Sequence, residues 1–178
     1  MFDKPETKPL PDLDEKGRTY LTERYLRDIC HYNSGYPEPR YNNSLVLNYL
    51  ALRKIENLHD YSHIRVLHLE NNCITKIEGL SHIKALRCLF LHNNQIEKIE
   101  GLEELTELAT LSLSSNYIKT ITGLKNLYKL ENFYIEKNKI EDYNDLVGLA
   151  ECRSLNVVYN PLNRLIYPII KFLIIQKK

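Results

Sequence analysis

The sequence predicts an α/β solenoid, and three observations carry that expectation. A frame of 22 residues repeats through most of the 178-residue chain, apolar residues return to the same places in each copy, and an asparagine and a glycine recur at fixed offsets. The clearest copy, residues 86–107, reads L-x-x-L-x-L-x-x-N-x-I-x-x-I-x-G-L-x-x-L-x-x. One frame earlier, residues 64–85 put Leu67, Leu69, Asn72, Ile74, Ile77, Gly79, Leu80 and Ile83 at the matching places. One frame later, residues 108–129 supply Leu111, Leu113, Asn116, Ile118, Ile121, Gly123, Leu124 and Leu127. Residues 130–151 follow with Phe133, Ile135, Asn138, Ile140, Tyr143, Asp145, Leu146 and Leu149. A fixed period of this length marks stacked supersecondary units.

The expected architecture is a leucine-rich-repeat right-handed solenoid. Short parallel strands line its concave face, one-turn 3₁₀ or α segments its convex face, and a helix caps its N-terminal end. The residues at places four and six of the frame point the same way because side chains alternate along a strand. With places one, eleven, fourteen, seventeen and twenty they converge on one interior, which a single coil cannot bury but stacked coils cover. The asparagine column (Asn72, Asn94, Asn116, Asn138, Asn160) sits where the strand turns away. An amide both donates and accepts, so it can satisfy backbone groups left unpaired by the bend. At place sixteen stand Asn57, Gly79, Gly101, Gly123 and Asp145, residue types that tolerate positive φ, so a left-handed turn is expected there.

In chain order, residues 1–17 carry prolines and charges and read as a flexible tail. Residues 18–41 read as a capping helix and connector: Leu21, Tyr25, Leu26, Ile29 and Cys30 share a helical face, with Thr22 as cap and Glu23 in the first turn. Residues 42–164 hold the repeats. The first coil places Leu45, Leu47, Leu52, Ile55, Leu58 and Tyr61 in the frame, with Leu50 in place of the asparagine. Leu155, Val157, Asn160 and Leu162 open a sixth coil with Cys152 at its first place. Residues 165–178 read as a closing cap; its apolar run is too short for a membrane span and is broken by Pro168 and Lys171. The stop at Lys178 directly after that run predicts a fragment, an alternative product or a cap shorter than usual.

Composition narrows the function classes. The chain has 24 basic and 23 acidic residues, a net charge of +1, and no basic stripe, which argues against a nucleic-acid partner. Cys30, Cys73, Cys88 and Cys152 lack metal-type pair spacing and fit a reduced intracellular compartment. The N-terminal stretch has no apolar run of signal-peptide type, so the Asn42-Asn43-Ser44 sequon is without consequence. His59-Asp60-Tyr61-Ser62-His63 has the two-histidine spacing of a zinc helix, but with Asp in place of Glu and inside a return segment, so a surface turn is expected. Phosphate loops and nucleophile elbows are missing, and Glu103-Glu104 reads as a solvated face. The expectation is a non-catalytic monomer without cofactor or metal.

What remains is the concave sheet, where places three, five, seven and eight are expected to face outward in columns. Place three reads Ser44, Val66, Cys88, Thr110, Asn132, Ser154; place five reads Val46, His68, Phe90, Ser112, Tyr134, Asn156. Place seven reads Asn48, Glu70, His92, Ser114, Glu136, Val158; place eight reads Tyr49, Asn71, Asn93, Ser115, Lys137, Tyr159. Exposed aromatics on a rigid surface are what protein hot spots are made of. Phe90 and Tyr134 are the expected anchors, with Val66, His68, Glu70, His92, Thr110, Glu136 and Tyr159 completing a partner-binding face. Ser112, Ser114 and Ser115 leave a bare middle that could split the footprint.

The surroundings of the frame carry a resemblance. The stretches Thr22–Cys30, Tyr41–Leu47, Ile55–Tyr61, Leu86–Leu91 and Leu113–Ile121 resemble the leading helix, capping coil and repeats of the leucine-rich axonemal dynein assembly factors, over roughly residues 19–164. The frame alone is shared with the repeat-type regulatory subunit of protein phosphatase and the outer-arm dynein light chain. The resemblance implies a scaffold needed for cytoplasmic preassembly of axonemal dynein arms, with cilium or flagellum association. The implied partner is a dynein chain or a co-assembly factor. A phosphatase-regulatory subunit and a structural axonemal or microtubule component are the alternatives.

Overall fold

The computed structural model describes residues 6–159 apart from residues 34, 153 and 156. Strands β1 (Asp12–Leu13) and β2 (Thr19–Tyr20) pair antiparallel, and helix α1 spans Glu23–Tyr32. Strands β3 (Ser44–Val46), β4 (Val66–His68), β5 (Cys88–Phe90), β6 (Thr110–Ser112), β7 (Asn132–Tyr134) and β8 (Val157–Tyr159) then form one parallel sheet in sequence order. Register sets Leu45, Leu67, Leu89, Leu111 and Phe133 side by side at place four. All five are buried, and each stabilises the stack by about 1.5–3 kcal/mol relative to exposure. They join one continuous core that runs from Leu21 to Leu155.

The asparagine column behaves as its chemistry demands. Asn94 Oδ1 accepts from the Ile74 N–H at 2.9 Å, while its Nδ2 donates to the carbonyls of Leu69 (2.9 Å) and Leu91 (3.0 Å). Asn116 repeats the pattern with Ile96, Leu91 and Leu113, and Asn138 with Ile118, Leu113 and Ile135. Each amide stitches its own coil to the one before. Asn160 lies outside the described residues.

Place sixteen is left-handed at Asn57 (φ 58°), Gly79, Gly101 and Gly123, as their residue types required. A second left-handed column stands at place eight: Tyr49, Asn71, Asn93, Ser115 and Lys137 have φ of 56°, 58°, 57°, 56° and 53°. Here the chain leaves the extended conformation while the ladder continues. The place-eight N–H of Asn71, Asn93 and Ser115 donates to His92, Ser114 and Glu136 of the next coil at 2.7–3.0 Å. The return segments are mostly tight turns, such as Ile83 N–H to Leu80 carbonyl at 2.9 Å, rather than helices. Regular 3₁₀ turns occur at Pro39–Tyr41, His59–Tyr61 and Tyr143–Glu151.

At the N-terminal end, Thr22 Oγ1 accepts from the Tyr25 N–H at 3.1 Å, and Tyr25, Leu26, Ile29 and Cys30 bury their shared face. The tail expected over residues 1–17 is in part a hairpin. Asp14 Oδ1 accepts from the N–H groups of Lys16 and Arg18, both at 2.9 Å, and Gly17 takes φ 70°. That turn chemistry lies in residues whose charges and prolines had suggested only a loose chain.

The fifth coil departs from the frame. Asn132 pairs with Val157, 25 residues on, where every earlier pair is 22 apart. Three extra residues enter between Ile140 and Leu146, absorbed by the Tyr143–Glu151 turn, whose start is fixed by reciprocal bonds between Asp142 and Asp145. Leu146 therefore takes place fourteen instead of Tyr143, and Gly148 takes place sixteen instead of Asp145. A Cβ on Gly148 would meet the Ile121 carbonyl at 2.0 Å, as one on Gly123 would meet Ile99 at 2.8 Å. Cys152 moves to place twenty, still buried, and Leu155 becomes place one. The expected positions of Ser154, Asn156, Val158 and Tyr159 shift accordingly. Residues 160–178, with the expected closing cap, lie outside the described residues.

Candidate protein-binding face

The parallel ladder brings places three, five and seven of successive coils into columns. Across the described side chains these are Ser44, Val66, Cys88, Thr110 and Asn132; Val46, His68, Phe90, Ser112 and Tyr134; and Asn48, Glu70, His92, Ser114 and Glu136. Val66, His68, Phe90, His92, Thr110, Tyr134 and Glu136 are half-buried, whereas Glu70 is buried at 8 % exposure. Tyr159 sits opposite Tyr134 at place five, not at place eight as the uniform frame had it, and its side chain lies outside those described.

The face is knitted by cross-strand contacts. The rings of His68 and Phe90 stack with centroids 4.7 Å apart and planes 16° from parallel. Glu70 Oε1 accepts from Asn48 Nδ2 at 2.9 Å and lies 3.3 Å from His68 Nδ1. Glu70 Oε2 is buried and has no hydrogen-bond partner among the described residues. His92 Nδ1 and Ser112 Oγ are 3.2 Å apart, and Ser114 Oγ donates to Glu136 Oε2 at 3.0 Å. The serines of the fourth coil are thus bonded to the histidine and glutamate on either side; Ser112 is itself buried at 7 % exposure.

Sequence reasoning missed Asn48 as the partner of Glu70, because a polar residue in the capping coil carries no pattern of its own. It also gave place eight to the face, although the left-handed backbone there takes Tyr49, 69 % exposed, out of the regular strand.

Other candidate chemistry falls elsewhere. His59 and Asp60 are exposed in a 3₁₀ turn while Tyr61 enters the core, and His59 Nε2 lies 3.6 Å from Glu23 and 3.5 Å from Asp60. Among the described residues no group of His, Cys, Asp or Glu is placed to hold a metal. Cys30, Cys73, Cys88 and Cys152 form no disulfide with one another. Burial pushes the Cys30 thiol up to about 11, with its 3.7 Å hydrogen bond to Tyr61 Oη acting the other way. No helix among the described residues is long and apolar enough to cross a membrane.

Comparison with known proteins agrees with this geometry. The family described as leucine rich repeats (2 copies) matches residues 62–104. A dynein axonemal assembly factor 1 homolog of Drosophila pseudoobscura pseudoobscura is 39 % identical over 59 residues, and that of Drosophila erecta 40 % over 59. Each match spans 33 % of this chain and 4 % of the relative's length. Among solved structures, internalin C2 of Listeria monocytogenes aligns with a TM-score of 0.60 and 27 % identity, over 77 % of this chain and 56 % of that one. An internalin (inlF) of the same organism gives 0.56 and 27 % over 76 % and 38 %. The chain contains leucine-rich repeats and folds as a leucine-rich-repeat solenoid of stacked parallel strands with an N-terminal helix.

Proposed function

We propose that the chain is a non-catalytic scaffold that holds another protein on its concave face during cytoplasmic preassembly of axonemal dynein arms. The observation that carries the dynein reading is the 39 % identity over 59 residues to a dynein axonemal assembly factor 1 homolog. The concave reading rests on half-buried aromatics, Phe90 and Tyr134, held on a rigid sheet with their neighbours hydrogen-bonded in place. Pre-fixed aromatic anchors lose little entropy on association, which is how a small patch carries much of a binding energy. Val66, His68, Glu70, His92, Thr110, Glu136 and Tyr159 complete the footprint, and the partner is a dynein chain or a co-assembly factor.

Removing this chain from a ciliated cell tests the dynein reading. Dynein heavy chains should become unstable in the cytoplasm itself, with cilia formed but weakly motile. Stable cytoplasmic heavy chains with loss confined to the axoneme would instead assign it to the axonemal structure. A catalytic phosphatase as the dominant co-purifying protein would overturn the reading in favour of a regulatory subunit.

A further inference from the structure

The floor of the concave face has a definite charge character. At places three, five and seven of the five coils with described side chains, the ionised groups are Glu70 and Glu136; Lys and Arg do not occur there. Lys137 follows Glu136 at the left-handed place eight. Glu70 is the unusual member. It is more than nine-tenths buried, one oxygen is held by Asn48 and His68, and the other has no partner among the described residues. A buried carboxylate oxygen without a donor is costly, and native folds seldom leave one without a reason. Beside it the rings of His68 and Phe90 stack face to face across two coils, and both side chains stay half-buried on the concave face.

We infer that Glu70, His68 and Phe90 form a seat for an arginine side chain of the bound protein. This rests on the concave-binding reading above and names the chemistry of its partner. A guanidinium is planar, stacks on ring faces, and presents forked donors matched to a carboxylate. It would pack against the exposed side of the His68–Phe90 stack and donate to Glu70. Reaching the unpartnered oxygen takes an outward swing of the Glu70 side chain, 11 % accessible, about its own torsions while the backbone stays in place. Lysine fits less well, because an ammonium is a compact, strongly hydrated charge that cannot make the forked contact. Glu136 at the far end of the face, held by Ser114, extends the same preference for a basic segment.

The test pans a random linear peptide display library against the immobilised full chain and measures the recovered peptides by fluorescence titration. Arginine should be enriched at one position of the binders. Replacing that arginine by lysine in the best peptide should weaken binding by about tenfold, the size of one charged hydrogen bond. Glu70→Gln, close in shape, should weaken the arginine peptide by a similar factor and leave its alanine version unaffected, with an unchanged thermal melt. Peptides without arginine enrichment that still depend on Phe90 and Tyr134 would overturn the seat while keeping the concave face. Binders indifferent to Phe90 and Tyr134, or no enriched binder, would overturn both.

Discussion

Replacing single asparagines of the column should cost different amounts, and the structure says which costs more. In Asn94→Ala, the Ile74 N–H loses its acceptor. The carbonyls it served keep a donor, because Asn72 also reaches Leu69 at 3.0 Å and Asn116 reaches Leu91 at 3.0 Å. One orphaned buried donor costs about 1–3 kcal/mol, and two weakened bonds add about 1 kcal/mol, so the total is about 2–4 kcal/mol. Asn72 is different. Its Oδ1 accepts from both Leu50 and Leu52, at 3.0 and 3.1 Å, and its Nδ2 serves the Leu47 carbonyl, which gains no second asparagine because place nine of the first coil is Leu50. Asn72→Ala therefore leaves three groups unmatched and should cost at least about 2 kcal/mol more than Asn94→Ala. Urea denaturation followed by circular dichroism, with a common slope across variants, measures both. Equal costs, or a cost below about 1 kcal/mol for either, would refute the assignment of the column as the internal hydrogen-bond bridge.

Two further outcomes follow from local geometry. Gly101→Ala should destabilise by at least about 2 kcal/mol, because φ is +68° and the new Cβ would sit 2.4 Å from the Ile77 carbonyl oxygen; Gly17→Ala, at φ +70° with nothing within 4 Å, should cost only about 1 kcal/mol on the same denaturation assay. Burial raises the Cys30 thiol to about 11, and Tyr61, also raised chiefly by burial, shifts in the same direction. The fold thus binds protons more tightly than the open chain, so this stabilisation is complete below about pH 8.5 and is lost as pH rises through about 11. The Cys30 share is roughly 3 kcal/mol, and Cys30→Ala should flatten the alkaline decline seen in denaturation curves taken across that window.

Most of the scaffold was legible because periodicity reports geometry directly. Leu67, Leu89 and Leu111 repeat at one spacing, and the sheet pairs them at that spacing. Asn72, Asn94 and Asn116 advertised their role because few side chains both donate and accept. The three extra residues in the fifth coil were hidden by coincidence: Leu146 and Leu149 are three apart, so a shift of three still lands apolar residues on core places. Only backbone pairing distinguishes the two registers, and it moves Tyr159 from place eight to place five. The left-handed place eight was masked too, since Tyr49, Ser115 and Lys137 do not signal positive φ as Asn71 and Asn93 do. On the concave face, columns were readable from alternation, but the Asn48–Glu70 and Ser114–Glu136 bonds join residues 22 positions apart and follow no sequence pattern.

The most direct measurement compares two paired variants in affinity purification from ciliated cells with quantitative mass spectrometry. Phe90→Ala with Tyr134→Ala alters the concave face; Tyr117→Ala with Tyr128→Ala removes two exposed aromatics, 50 % and 68 % accessible, elsewhere on the coils. The concave pair should lose the principal protein partners by at least about tenfold while melting as the wild type does, and the control pair should retain them. Full retention by the concave pair, or loss confined to the control pair, would contradict the claim that the inner sheet is the surface that binds.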